Sequence, residues 1–501
     1  MKRWLCLAAA FGAAACGTRG ELYVAKLAPL PLMSTRGALV QVVPQTRRAV
    51  VVPADGSAPR ALAISGGARA ATALPDGDTV AVLGGTVKAP VLDLVSVSDG
   101  SVVTLALPGP FDVMTPSPDG ALLVLTYSAT GRLPGLVARN LNEVAVVSLG
   151  QQHVDRLQLD TESLAPRQIV FSPPTAPRRL VAVGLDRGVA IFDPRRPDLA
   201  PRRVSLQPAG STVESSVLEA LFSPDAHWLY VRATGVDDVI VIELGEVPGT
   251  RELTASVNFV SGGTGLADLE VPDTDALPDT VLAVFSASRE AVLLDARGLE
   301  DRVKRLPLAA PLTSLHFFGG RALVSDGQSR TVVAWDPVRD LSGSVVLDSG
   351  FDARLYSDAL GRAMFSHPAV LGGGSALSVI SVEDAVTRLR VRLQAIQLSV
   401  PAGPVVLDGT EERLFFAGRN DTTLVGLDLR TMEVAQVTLD APAGEVEYLP
   451  GSDTVAVVNS ADALGDVTLL PAGQLDRQAA VRLRDFALTG DLDRPYEEGS
   501  P

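Results

Sequence analysis

The chain has 501 residues and a formal net charge of −15 at pH 7, an acidic balance that argues against nucleic acid or anionic lipid as a general partner. Its two cysteines are too few for a disulfide framework. The mean hydropathy of +0.25 arises from many short β-branched runs, because no run after the N-terminal segment reaches the roughly 18 apolar residues of a membrane-spanning helix. We therefore predict a β-rich body.

The N-terminal segment has the three parts of an export signal. Lys2 and Arg3 precede an apolar run, and small residues lie before the expected cleavage point. The sequence Ala13-Ala14-Ala15-Cys16 resembles the lipobox of bacterial lipoproteins. The resemblance implies a signal peptide over residues 1–15, acyl chains such as palmitate on Cys16, and a lipidated tether over residues 16–36. The alternative is an ordinary signal peptide whose cysteine is incidental.

Two further observations bear on location. Residue 17 is glycine, and among lipoproteins with a known sorting rule the absence of aspartate at this position favours the outer membrane. Only four of the 43 basic residues are lysine, a bias typical of GC-rich genomes. We therefore expect a cell-envelope protein of a Gram-negative bacterium, an outer-membrane lipoprotein facing the periplasm or the cell surface.

A unit of three predicted strands recurs along the body. Its clearest copy begins with Leu221-Phe-Ser-Pro-Asp225, continues to Val231 and ends, after a polar loop, with Val239-Ile-Val-Ile-Glu243. Pro-Asp favours a tight turn, because proline fixes φ and the aspartate carboxylate can accept a backbone hydrogen bond two residues on. Similar turns follow Leu74 and precede Leu125, and degenerate copies follow Phe171 and Leu449.

The third strand of most units ends at an acidic residue, and the equivalent positions near Val97, Ser148 and Leu470 lack the acid. These ends are spaced by about 47 residues, within the range of propeller blades. They are Val97, Ser148, Asp193, Glu243, Asp295, Asp336, Glu383, Asp428 and Leu470. The spacing predicts nine complete units, and a weaker, partial unit runs from Leu39 to Ser65.

The unit from Arg413 to Arg430 resembles the YVTN-type, WD-repeat-like β-propeller repeat, although the YVTN letters themselves are absent. The resemblance implies an all-β propeller of four-stranded antiparallel blades over residues 37–488, followed by a disordered acidic tail over 489–501. We prefer a single large ring, in which the partial unit completes the last blade or forms a blade with residues after Arg484. Seven or eight blades with insertions, two rings, a series of β-sandwiches and a β-helix are the alternatives.

Signatures of catalysis and metal binding are weak. The sequence lacks a G-x-S-x-G elbow, an H-E-x-x-H helix and a P-loop. Four histidines lie in different units, and His316 is expected to be an ordinary buried histidine with satisfied hydrogen bonds. The segment beginning Asp273-Thr-Asp275 resembles a calcium loop but lacks its glycine and its final glutamate. We expect no metal and no cofactor, and we assign no catalytic residue.

Two sets of residues could bind a partner. The first occupies loops between second and third strands, which should meet on one face, and consists of Arg187, Arg289, Arg330, Arg419, Asn420 and Asp421. The second is a basic run of Arg178, Arg179, Arg195, Arg196, Arg202 and Arg203. Arginine binds carboxylate or phosphate with two parallel hydrogen bonds, so either set could hold an acidic partner or the phosphates of lipopolysaccharide. Pairing with neighbouring acids on a solvated surface is the alternative for both.

The functional expectation is a lipid-anchored envelope propeller that binds a protein or glycan partner without catalysis. Propellers host unrelated activities, so the fold alone does not decide between functions. A hydrolase, lyase or lactonase acting in the central channel and a structural subunit of an outer-membrane assembly are the alternatives. Several ionisable groups meeting in the channel would favour the enzyme, whereas a channel of Val, Ala and Ser would favour the scaffold.

Overall fold

The computed structural model describes residues 27–128, 140–160, 166–207, 214–368, 375–397, 402–418, 421–459 and 465–489. The lipidation candidate Cys16, the loop residues Arg419 and Asn420, and all but the first residue of the predicted tail lie outside these ranges. Within the described residues the chain forms forty strands in ten four-stranded antiparallel sheets. Each sheet consists of four consecutive strands, which we call A to D in chain order, and each sheet is one blade.

Blades 1 to 3 lie in the N-terminal part of the chain. Blade 1 contains β1 (Met33–Ser34), β2 (Ala38–Val43), β3 (Arg48–Pro53) and β4 (Arg60–Ala63). Blade 2 contains β5 (Ala70–Ala73), β6 (Thr79–Gly85), β7 (Pro90–Ser96) and β8 (Val102–Ala106). Blade 3 contains β9 (Val113–Pro116), β10 (Leu122–Thr126), β11 (Glu143–Ser148) and β12 (His153–Gln158), with a 3-10 turn at Leu149–Gln151.

Blades 4 to 7 form the middle of the chain. Blade 4 contains β13 (Gln168–Phe171), β14 (Val181–Leu185), β15 (Gly188–Phe192) and β16 (Arg202–Ser205). Blade 5 contains β17 (Val217–Phe222), β18 (Trp228–Ala233), β19 (Val239–Glu246) and β20 (Leu253–Val260). Blade 6 contains β21 (Leu266–Glu270), β22 (Thr280–Phe285), β23 (Glu290–Asp295) and β24 (Lys304–Pro307), with a 3-10 turn at Glu300–Arg302. Blade 7 contains β25 (Ser314–Phe318), β26 (Arg321–Ser325), β27 (Thr331–Asp336) and β28 (Leu341–Val346).

Blades 8 to 10 complete the set. Blade 8 contains β29 (Ala353–Ser357), β30 (Arg362–Ser366), β31 (Ser375–Asp384) and β32 (Leu389–Gln397). Blade 9 contains β33 (Ala402–Leu407), β34 (Arg413–Gly418), β35 (Thr423–Asp428) and β36 (Val434–Thr438). Blade 10 contains β37 (Ala443–Leu449), β38 (Thr454–Asn459), β39 (Asp466–Pro471) and β40 (Val481–Arg484), with 3-10 turns at Arg477–Ala479 and Phe486–Leu488.

The blades form one closed ring. Buried apolar clusters join each blade to the next, from blades 1 and 2 around to blades 9 and 10. A further cluster joins the last blade to the first: Leu39 and Val50 of blade 1 pack with Leu449, Leu469 and the following Phe486. The A strands of neighbouring blades lie against one another and surround the central channel.

This ring differs from the predicted count of nine complete units and a partial one. The supposed partial unit from Leu39 to Ser65 is a complete blade, whose A strand is only two residues long and begins at Met33, ahead of the predicted boundary at residue 37. The prediction that this unit would complete the last blade is wrong, because blade 10 has four strands of its own. Residues after Arg484 add a 3-10 turn that packs on blade 1 rather than a strand.

Two faces of the ring follow from the strand order. The loops between A and B and between C and D lie on one side, which we call the A–B face. The loops between B and C and the connections between blades lie on the other, the B–C face. This division decides which side chains can meet.

The predicted Pro-Asp turns lie on the A–B face. In blade 5, Ser223 Oγ accepts hydrogen bonds from the amides of His227 (3.1 Å) and Trp228 (2.9 Å) and donates to Asp225 (2.6 Å). Blade 3 repeats this arrangement, since Ser117 Oγ accepts from the Leu122 amide at 2.9 Å. A side-chain oxygen at the end of strand A thus satisfies the first amides of strand B.

Candidate functional site on the channel wall

The inner strands of the ten blades differ sharply in polarity. Blades 1 to 4 and blade 9 contribute Met-Ser, Ala-Ala-Thr-Ala, Val-Met-Thr-Pro, Gln-Ile-Val-Phe and Ala-Gly-Pro-Val-Val-Leu, with no ionisable side chain. The inner strands of blades 5 to 8 carry Glu219, Asp268, Glu270, His316, Arg354 and Tyr356. Blade 10 carries a separate pair, Glu445 and Glu447. One part of the channel wall is therefore ionisable, and we call the blade 5 to 8 residues the polar wall.

Two of the carboxylates in the polar wall have structural partners. Asp268 Oδ2 accepts a hydrogen bond from the Leu315 amide at 2.7 Å and a longer one from Ser314 Oγ at 3.3 Å. Strand β25 pairs with β26 alone, so the inner edge of β25 is open. Asp268 supplies the acceptor for the Leu315 amide on that edge. Glu219 accepts from Arg232 Nε at 3.1 Å, and burial raises the Glu219 pKa despite this partner.

Glu270 differs from its neighbours. It is the last residue of β21, towards the A–B mouth of the channel, and it is only partly exposed. Within the described residues no hydrogen bond or ion pair reaches its carboxylate. Burial, together with the negative charges of Asp268, Glu219 and Asp358, raises the pKa of Glu270 to about 8. Glu270 is therefore largely protonated at neutral pH and lies among carboxylates.

His316 adds an aromatic surface to the wall. Its ring stacks on Tyr356 with 3.7 Å between centroids and lies 5.8 Å from the ring of Phe318. Nε2 lies 3.5 Å from Asp358 Oδ1 in the A–B loop of blade 8. Burial lowers the pKa of His316, an effect that the Asp358 carboxylate opposes. Burial also raises the pKa of Tyr356 to about 12. The expectation that His316 is a satisfied buried histidine is wrong, because about a quarter of its side chain (26%) is exposed.

The histidine that does fit that description is His367. It is fully buried, and its ring nitrogens lie 2.9 Å from Ser349 Oγ and 2.7 Å from Ser378 Oγ. Sequence reasoning also missed Glu219, Asp268, Glu270, Arg354, Tyr356 and Asp358. A signal existed, because a charged residue stands on the inner strand where other blades have Ala, Thr or Val.

The first predicted binding set lies on the B–C face, but the described members have local partners or local turn roles. Arg187 pairs with Glu214, and Arg330 donates to the Asp348 carbonyl at 3.2 Å. Asp421 accepts from the Thr423 amide at 2.8 Å, as in a turn. Arg289 has a left-handed backbone, with φ of 57°. These loops share a face, but the contacts described above are made within the same blade or with the adjoining connection between blades.

The second predicted set is divided. Arg178, Arg179, Arg195, Arg196 and Arg202 line a cleft on the A–B face between blades 4 and 5. Arg203 turns the other way and pairs with Asp160 of blade 3 at 2.6 Å. The acidic loop at Asp273 and Asp275 lies on the same face, beside a small cavity between blades 5 and 6.

Neither a metal centre nor a membrane-spanning helix is found in the described ranges. There, no group of three or more His, Cys, Asp or Glu side chains is placed to hold a metal ion. No helix of that part of the chain is long and apolar enough to cross a membrane.

Comparison with known proteins gives similarity to solved structures alone. No family model and no curated protein matches the chain. A dihydro-heme d1 dehydrogenase NirN in complex with DHE is similar at 16% identity and a TM-score of 0.42, covering 72% of this chain and 73% of that one. A eukaryotic initiation factor is similar at 12% identity and a TM-score of 0.42 (83% and 89% covered). The Cps50 (Swd1) β-propeller domain of Myceliophteria thermophila is similar at 11% identity and a TM-score of 0.35 (72% and 96%). At this level of similarity the assignment of a propeller rests on the ten sheets themselves.

Proposed function

We propose that this protein is a lipid-anchored binding module of the cell envelope, and that the polar wall of its channel holds a basic segment of a protein partner. A lysine ammonium group is the chemistry that fits. It brings three hydrogen-bond donors and a positive charge to a wall in which three acidic residues, Glu219, Asp268 and Glu270, face a single arginine, Arg354. The ring supplies a rigid frame for these groups, as propellers commonly do.

The observation that carries the proposal is the environment of Glu270. Burial and three like charges hold this carboxyl group largely neutral, and a cation that enters favours its ionised form and so gains interaction energy. The stacked rings of His316 and Tyr356 lie in the same wall and offer an aromatic face to an ammonium group. Asp358, with 62% of its side chain exposed, supplies a second accessible carboxylate.

The test measures binding of a lysine-containing peptide by calorimetry. We expect Glu270→Gln to weaken binding about tenfold, since a charge-assisted hydrogen bond is lost. Glu445→Gln is the matched control, because Glu445 stands on the inner strand of blade 10, outside the polar wall. Binding should also weaken when lysine is replaced by norleucine in the peptide. Equal loss in both protein variants would show a general effect of channel charge and would refute the proposed site.

The anchor is tested separately. Labelling of expressing cells with a fatty-acid analogue should mark the parent protein and leave Cys16→Ser unmarked, because an acyl group needs the Cys16 thiol. Fractionation should then place the parent in the outer membrane. Equal labelling of the two proteins would contradict lipidation at Cys16 without affecting the proposal for the channel.

One observation favours an enzyme as a second candidate. In the polar wall a carboxyl group is held protonated and an imidazole is held neutral, and pairs of groups whose pKa values are pushed apart in this way serve as acid and base in hydrolases. A panel of ester and lactone substrates tests this candidate. Turnover that His316→Ala abolishes, and that Glu445→Gln leaves unchanged, would support it, whereas no turnover on the panel would count against it.

A further inference from the structure

The arginine-lined cleft between blades 4 and 5 lies apart from the channel wall. Its volume is about 670 Å³, within the range of small-ligand sites. The loops that form it are the A–B and C–D loops of blade 4 and the C–D loop of blade 5. Six arginines line it, namely Arg178, Arg179, Arg195, Arg196, Arg202 and Arg251, with the acids Asp193, Asp198, Glu246 and Glu252. A cleft with an excess of positive side chains is unusual on a chain whose net charge is −15.

Three of the arginines hold the cleft together. Arg178 Nη2 donates to the Leu244 carbonyl at 2.9 Å and to the Ala226 carbonyl at 3.1 Å, so it ties blade 4 to blade 5. Arg179 pairs with Asp119 of blade 3 at 2.7 Å. Arg196 forms two parallel hydrogen bonds with Asp198, at 3.0 and 2.9 Å. These guanidinium groups are already engaged.

The other three have no such role. Arg195, Arg202 and Arg251 are exposed, and within the described part of the chain no hydrogen bond or ion pair involves their guanidinium groups. They come from three different positions around the cleft: the start of the blade 4 C–D loop, the end of that loop, and the C–D loop of blade 5. The Arg195 backbone is fixed, because its amide donates to Asp193 Oδ1 at 2.9 Å.

From this arrangement we infer that the cleft is a binding site for a phosphate monoester group. A carboxylate carries one charge and is satisfied by one guanidinium, whereas a phosphate monoester carries up to two charges and has three free oxygens that several arginines can share. Phe192, Leu199 and Leu253 line the same cleft and can pack against the apolar part of a ligand. Glu246 and Glu252 also line it, and their negative charges disfavour larger polyanions that would fill the whole cleft.

The direct test is a titration with inorganic phosphate and with glycerol phosphate, followed by ³¹P NMR at low salt. We expect saturable binding that weakens as salt is added. Arg251→Gln should weaken it about tenfold. Arg196→Gln is the matched control, since it removes the same charge from the same cleft but from a guanidinium that Asp198 already occupies, and it should change the affinity by less than about threefold. Equal losses in the two variants, or no saturable binding by the parent, would overturn the inference.

A second arm distinguishes the sources of the phosphate. Cys16→Ser protein, which cannot be acylated at that position, is mixed with phosphatidylcholine vesicles with or without phosphatidic acid and floated on a density gradient. Flotation that requires phosphatidic acid and that Arg251→Gln abolishes would support a lipid headgroup as ligand. Binding of glycerol phosphate without flotation would support a soluble ester. Flotation of Arg251→Gln and parent alike would contradict recognition by the cleft.

Discussion

Glu270 and His316 are both held uncharged at neutral pH, by burial in the same wall of the channel. For the glutamate this means a raised pKa and for the histidine a lowered one. The charge of this part of the channel wall should therefore change with pH. A buried carboxylate elsewhere in the ring has hydrogen-bond partners that Glu270 lacks. Asp93 is fully buried and accepts hydrogen bonds from the Ser65 amide and from the hydroxyls of Ser65 and Thr104.

The raised pKa of Glu270 predicts that the protein loses stability as pH rises from the acidic through the neutral range. The folded protein keeps a proton on Glu270 up to about pH 8, whereas the unfolded chain releases it near the ordinary glutamate pKa. The free energy of unfolding should therefore fall as pH rises from about 4.5 to 8. The charged or titratable groups around Glu270 are Glu219, Asp268, Asp358, Arg232, Arg354, His316 and Tyr356.

Glu270→Gln should remove most of this slope. Urea unfolding at pH 5 and pH 9 measures it, and we expect the variant to be more stable than the parent at pH 9 by on the order of 2 kcal/mol. At pH 5 the two should be nearly equal. Parallel pH profiles for the two proteins would show that Glu270 does not titrate in this range.

At the scale of the element, the turn between strands A and B explains why most blades were predictable from the sequence. Ser-Pro-Asp at Ser223 and at Ser117 joins two strands through side-chain hydrogen bonds that are local in the chain. Strand β1 lacks such a signal, because it has two residues and its sequence is Met-Ser. Its neighbours β2 and β3 carry the β-branched runs, so blade 1 was predicted as a fragment.

The polar wall was missed for a different reason. Its members come from four blades, and the sequence alone does not establish which residues of an inner strand turn toward the channel. Asp268 illustrates this, since its carboxylate caps an amide 47 positions along the chain, in the next blade. Only the ring geometry brings such positions together.

Removal of the Ser223 hydroxyl from its turn should lower the free energy of unfolding. Ser223→Ala leaves the Trp228 amide without its 2.9 Å acceptor, and Trp228 is buried. We expect the free energy of unfolding to fall by about 1–2 kcal/mol. Ser256→Ala is the control, because that exposed hydroxyl makes only a 3.2 Å hydrogen bond to Glu243 and should cost less than about 0.5 kcal/mol. If chemical denaturation gave similar losses of unfolding free energy for the two variants, the Ser223 hydroxyl would contribute no more than an exposed one.

At the scale of the molecule, no strand is exchanged between the first and last blades. Each has four described strands of its own, so the ring closes through packing in the cluster that contains Phe486. Hydrogen bonds from the Gly451 amide to the Arg36 carbonyl (2.6 Å) and from Arg48 to the Thr489 carbonyl (3.2 Å) also cross this seam. Phe486 is 2% exposed and fills the space beside Gly465, where an added Cβ would lie 2.6 Å from the phenylalanine ring. The seam between blades 10 and 1 therefore depends on a residue beyond the last strand.

Phe486→Ala should open that seam. We expect the free energy of unfolding to fall by about 3–5 kcal/mol. Amide hydrogen exchange should speed up more in β2, β3 and β39 than in the other strands. Phe365→Ala removes an equally buried ring from the seam between blades 7 and 8 and is the control. Exchange that rises uniformly around the ring in both variants would contradict a local role for Phe486.

Both described ends of the chain meet the ring on the B–C face. The Leu30 amide donates to the Val42 carbonyl at 2.9 Å, and Arg48 donates to the Thr489 carbonyl at 3.2 Å. Ten residues separate Cys16 from Leu27, and such a segment spans at most about 35 Å. An acyl anchor on Cys16, as proposed, would therefore turn the B–C face toward its own membrane and leave the arginine-lined cleft and Glu270 facing away from it. A phosphate that reaches the cleft would then come from the aqueous phase or from an opposing surface, and the protein would face outward from its membrane as a receptor does.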